Sequence, residues 1–134
     1  MRVRVRSRLL TALCALLSAA SQPVSAHIVP DPKYGGMVAA SAHVDFELVA
    51  VDGVVTMFVE DHGELLSTDG MQGHLEVSIG DQKQSVPLLA VAPNLLVAQG
   101  VYLQPGALPY AVVLMPRRGF LRVRFPSVKA AAEE

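Results

Sequence analysis

The chain has 134 residues, 51% of them hydrophobic, with 11 basic and 12 acidic side chains and a formal net charge of −1. That length suits one domain with one core, and the lack of a basic surplus argues against a nucleic-acid partner. The single cysteine, Cys14, excludes an internal disulfide and a thiolate cluster.

In chain order, Arg2, Arg4, Arg6 and Arg8 precede an apolar run from Leu9 to Ala20, then Pro23 and the small-residue sequence Val24-Ser25-Ala26. A charged start, a short apolar stretch and an A-x-A-like site predict a secretory signal peptide over 1–26, cleaved after Ala26. The run falls short of the roughly 20 apolar residues that span a bilayer. Cys14 follows Leu13, where lipid attachment would want a small residue. The expected product is therefore periplasmic and soluble. Four of the 11 basic residues and none of the 12 acids leave with the signal, so seven face twelve and the net charge becomes −5.

Residues 27–36 read His-Ile-Val-Pro-Asp-Pro-Lys-Tyr-Gly-Gly. Two prolines and a glycine pair predict an extended lead-in. If His27 becomes the amino terminus, its α-amine and imidazole form a chelate that suits copper. Beyond it, β-rich runs near 37–40, 43–51, 54–61, 73–79, 82–89, 94–99, 109–115 and 120–125 are separated by glycine-marked turns. No window of helical length keeps a 3.6-residue apolar period. The expected fold is all-β, a small immunoglobulin-like antiparallel β-sandwich of about seven to eight short strands over 37–126. A flexible tail is expected over 127–134.

Asp52-Gly53 between two valine-rich runs predicts a two-residue type I′ hairpin, in which Val51 faces Val54. One face then pairs Ala50 with Val55, Leu48 with Met57 and Phe46 with Val59, a coherent apolar set that a one-residue slip would scramble. The other face pairs Val49 with Thr56, Glu47 with Phe58, Asp45 with Glu60, and His43 with His62. Opposed Cβ atoms lie about 4.5–5.5 Å apart, so His43 and His62 could grip one copper or zinc ion. Asp45 and Glu60, one step along, are candidate further ligands or acceptors for the ring N–H groups.

His74 alternates with Leu75, Val77 and Ile79 and falls on a solvated face. Met37 and Met71 follow glycines in expected loops, whereas Met57 and Met115 fall on strands as core. Arg122 and Arg124 share a strand face behind Arg117 and Arg118, a basic stripe that could meet an anionic partner or neutralise nearby acids. No Gly-x-Ser-x-Gly, P-loop, dinucleotide fingerprint or His-Glu-x-x-His occurs, so no enzyme is expected.

Gly35-Gly36, His-Val-Asp-Phe-Glu-Leu-Val at 43–49 and Asp61-His62-Gly63 together resemble small periplasmic proteins that accompany heavy-metal efflux systems. They are also similar to the β-rich amino-terminal segment of some adaptor subunits of cobalt-zinc-cadmium or copper efflux pumps. The likeness runs from about Gly35 to Phe125. Members often carry a histidine just before the glycine pair, where this chain has Tyr34. The resemblance implies a heavy-metal-resistance context, with His43 the residue that matches best.

Three functional expectations follow. The first is a periplasmic copper- or zinc-binding protein serving efflux, with His43 and His62 as ligands and Asp45, Glu60 or His27 in support. The second is a metal-free module docking on an envelope complex through strand edges or through Arg122 and Arg124. The third is a histidine-brace copper enzyme built on His27. Edge-strand dimerisation is compatible with each.

Overall fold

The computed structural model describes residues 28–131. The expected signal peptide, His27 and the last three residues of the tail lie outside them. Nine strands follow in order: β1 (Met37–Ser41), β2 (Val44–Val51), β3 (Val54–Asp61), β4 (Glu64–Leu65), β5 (Gln72–Ile79), β6 (Gln82–Val91), β7 (Leu95–Gln99), β8 (Leu108–Met115) and β9 (Gly119–Arg124). The expected all-β class is observed, and every pairing is antiparallel. The strands form one sheet in the order β1-β2-β3-β7-β6-β5-β8-β9, with the two-residue β4 beside β3. β1 and β9, at its two ends, lie against each other. The sheet is therefore nearly closed and barrel-like.

Period-two alternation explains the closure. Val44, Phe46 and Leu48 on β2, with Val55, Met57 and Val59 on β3, are all but fully buried. Their inward rows continue through Leu96, Leu75, Val113 and Val123 on β7, β5, β8 and β9. Rolling the sheet is how a chain without helices among its described residues hides one face of each strand but the two-residue β4, which is exposed.

The β2–β3 turn fixes this register. Asp52 and Gly53 both take positive φ, 50° and 77°, as a type I′ turn requires. The ladder runs from Val51↔Val54 to Val44↔Asp61 in the register anticipated from the sequence. Ala50, expected on the core face, is exposed at the rim, whereas its partner Val55 is buried.

Segments between strands plug both ends of the barrel. At the upper end, where the β1–β2, β3–β4 and β8–β9 turns gather, residues 66–71 cross over, with Thr68 N–H donating to the Pro93 carbonyl at 3.3 Å. Met71, expected in an exposed loop, is 5% exposed in the core. It does lie between strands, but its chain crosses the barrel mouth and its thioether fills it. At the lower end Val101 and Ala107, each 1% exposed, do the same work.

β6 has an open stretch. It pairs with β5 from Gln82 to Leu89 but with β7 only from Leu89 to Val91. Pro87 has no N–H to give a ladder, and it falls in the part with one unpaired side, where proline is tolerated.

Candidate functional site

The candidate face lies outside the barrel on β2 and β3, where Glu47 pairs with Phe58 and Asp45 with Glu60. The lead-in organises it. Glu47, only 6% exposed, accepts backbone N–H bonds from Lys33, Tyr34 and Gly36, each at 2.8 Å. Three donors on one carboxylate satisfy a charge that burial alone would make costly. Gly36 suits this approach, because a Cβ there would lie 2.3 Å from the Leu48 carbonyl oxygen. Tyr34 then lays its ring on Phe58, with centroids 3.8 Å apart and planes 11° from parallel.

Lys33 completes the arrangement. Its ammonium donates to Glu60 Oε2 at 2.8 Å and to the Gly63 carbonyl at 3.2 Å. The Glu60 hydrogen bond, helped by the charges of Glu60, Tyr34 and Asp45, raises the Lys33 pKa above 10.5 against an opposing desolvation cost. Between lead-in and sheet, Pro30, Lys33, Asp45, Glu47 and Glu60 help line a crevice of only ≈ 10 Å³, about the space of one water. The positive charge beside Asp45 and Glu60 is the chain's own.

His43 and His62 stand just beyond the last ladder pair, Val44↔Asp61. The strand anticipated from residue 43 begins at 44, because both histidines take left-handed backbone, with φ of 65° and 52°. Histidine is among the side chains that tolerate this region. They occupy two neighbouring turns at the upper end rather than an opposed pair on a strand face. The His62 side chain is 90% exposed, and its Nδ1 lies 2.6 Å from Asp61 Oδ1. That oxygen nevertheless has no properly directed hydrogen-bond donor among the described residues, so the contact is a close approach rather than a directed hydrogen bond. The other oxygen, Asp61 Oδ2, accepts from the Arg118 guanidinium. That bond, chiefly, with the Arg118 charge and a smaller share from His62, holds the Asp61 carboxyl below its ordinary value of 3.8.

Among the described residues no three His, Cys, Asp or Glu side chains gather around a common point suited to a metal. His27 lies outside them. Arg122 and Arg124 project outward from β9, both exposed, with the Arg124 guanidinium 5.0 Å from the centroid of the Tyr110 ring. No helix among the described residues is long and apolar enough to cross a membrane.

The residues that sequence reasoning missed are Lys33, Tyr34 and Glu47. Glu47, set against Phe58 on an otherwise ordinary polar face, was the available signal. Its partners are backbone N–H groups of a segment outside the hairpin, which hairpin register cannot supply. No family model, curated protein or solved structure matches the chain.

Proposed function

We propose that this chain is a non-catalytic periplasmic docking module rather than a metal carrier, and that its outer apolar sheet face receives a polypeptide of an envelope complex. One observation carries this reading. The outward rows of β2, β3, β7 and β6 set Val49, Thr56, Val97 and Leu89 side by side, and next to them Leu95 and Val91, the patch ending at Phe58 where Tyr34 covers it. Leu89 is 62% exposed, Val51 61% and Val91 44%. An antiparallel sheet with one face in water ordinarily makes that face polar, and a contiguous apolar patch marks an interaction surface. A polypeptide rather than a small ligand suits it, because the surface spreads over four neighbouring strands and none of its residues lines the crevice under the lead-in or the cleft beside β6.

In-cell photocrosslinking tests this directly. A probe at Leu89 or Val97 is expected to give one discrete product with an identifiable envelope protein, absent with the probe at Asp69. No product from either position would overturn the reading. A product that is only a second copy would recast the patch as a homodimer interface.

The metal reading keeps one observation in its favour, the placement of His43 and His62 on adjacent turns at one end of the barrel. Calorimetric titration of the metal-stripped chain with Cu(I), Cu(II) and Zn(II) separates the two readings. The docking reading expects no saturable uptake. Tight one-to-one uptake lost in His43→Ala/His62→Ala would establish a carrier, whereas uptake abolished by one residue added before His27 would indicate a brace. An efflux context, as the resemblance implies, fits either outcome.

A further inference from the structure

The charges of this domain are segregated. Residues 108–125, which span β8 and β9, contain Arg117, Arg118, Arg122 and Arg124 and no acid, although residues 27–134 carry a net −5. Six of the ten acids among the described residues, Asp45, Glu47, Asp52, Glu60, Asp61 and Glu64, instead lie on β2, β3, β4 and their turns, and Glu76, on β5 opposite Tyr110, is engaged by Lys83 at 3.2 Å. Only Arg118 of the four arginines reaches an acid, Asp61, among the described residues. The bland role of an arginine stripe, neutralising neighbouring carboxylates, therefore applies to one of them alone.

The outward side of β9 is Phe120, Arg122 and Arg124 in line. Phe120 is 66% exposed and faces Leu114, while Arg122 faces Val112 and Arg124 lies over Tyr110. Arg117 projects at the turn just above Phe120, with φ of 66°. An exposed aromatic ring among guanidinium groups has the chemistry of an interfacial anchor: the ring enters the acyl boundary and the arginines meet phosphates in bidentate fashion. Neither the crevice under the lead-in nor the 220 Å³ cleft beside β6 includes any residue of the hairpin. An acidic peptide would want a groove, whereas a planar anionic surface needs none.

We infer that the β8–β9 hairpin holds this domain on an anionic phospholipid surface through Phe120, Arg117, Arg122 and Arg124. This goes beyond the docking reading and does not depend on it, since the apolar patch lies on other strands. The segregated charge orients the molecule, with hairpin toward lipid and the acidic β2–β3 side away. Attraction of this kind weakens as salt shortens the screening length.

The chain has no tryptophan, so Phe120→Trp supplies a single reporter. The experiment uses the chain lacking residues 1–26, which retains every strand and core residue described, with vesicles of pure phosphatidylglycerol and of pure phosphatidylcholine. The expected result is a blue-shifted emission from the introduced indole and co-sedimentation with phosphatidylglycerol only, both suppressed by added salt. Arg122→Gln/Arg124→Gln should weaken partitioning about 25-fold, at about fivefold per arginine, with the fold retained and the thermal midpoint lowered only by the loss of the Arg124–Tyr110 contact. Absence of binding to phosphatidylglycerol overturns the inference, as does binding the double variant retains. Retention on polyglutamate without vesicle binding overturns it in favour of an acidic protein partner.

Discussion

Glu47 decides how the lead-in sits, and its neighbours show why one carboxylate suffices. It is nearly buried and takes three backbone N–H groups that otherwise have no acceptor among the bonds described. Glu47→Ala is expected to cost about 1–3 kcal/mol, the usual penalty for stranding buried donors. The denaturant midpoint should fall without a change in slope. Glu47→Gln keeps one acceptor oxygen and should lose less. Lys33 adds a charge-dependent part. Because its folded pKa is raised, its stabilisation is whole below 10.5 and disappears as pH climbs through the folded value. Lys33→Met should remove that alkaline loss from a stability-versus-pH curve. None of this was legible beforehand: a lysine between proline and tyrosine signals a loop, and only tertiary contact reveals which acid it meets.

Strands and hairpins are where the sequence spoke most clearly. Alternating apolar residues and Asp52-Gly53 located eight strands to within a few residues, and the β2–β3 register followed from one turn. Gly53→Ala tests that dependence, since a Cβ at φ 77° is strained and would also press on the Tyr102 ring. A loss of about 1–2 kcal/mol is expected in thermal unfolding, with Asp52→Asn close to neutral because asparagine accepts the same backbone. β4 escaped notice, being two residues long, and so did the crossing that buries Met71, because loop sequences do not record what they cover. At the upper end the β8–β9 turn is tied to β3 by Arg118 and Asp61. Asp61 has a depressed folded pKa, so its contribution is full well above 3.8 and is lost as pH drops through the folded value. Wild-type stability should therefore decline in acid more steeply than that of Arg118→Gln, a comparison that circular dichroism of thermal unfolding can make.

At the scale of the whole molecule, an apolar face on β3, β7 and β6 and a basic hairpin on β8 and β9 occupy different arcs of one barrel. The candidate metal ligands were readable as residues, but their surroundings were not: the sequence placed Asp45 and Glu60 together without showing that Lys33 stands beside them. The nearly closed sheet has no ladder between β1 and β9, which meet only by packing. A cylinder with such a slit breathes there first. β1 has a paired neighbour on one side only, and the lead-in pinned by Glu47 lies directly before it. Backbone amides of β1 and β9 that face the slit should exchange with deuterium well before those of β3 and β5, which are paired on both sides. Releasing the lead-in through Glu47→Ala should quicken exchange in β1 while leaving β5 slow, so the short segment before the first strand sets how often the barrel opens.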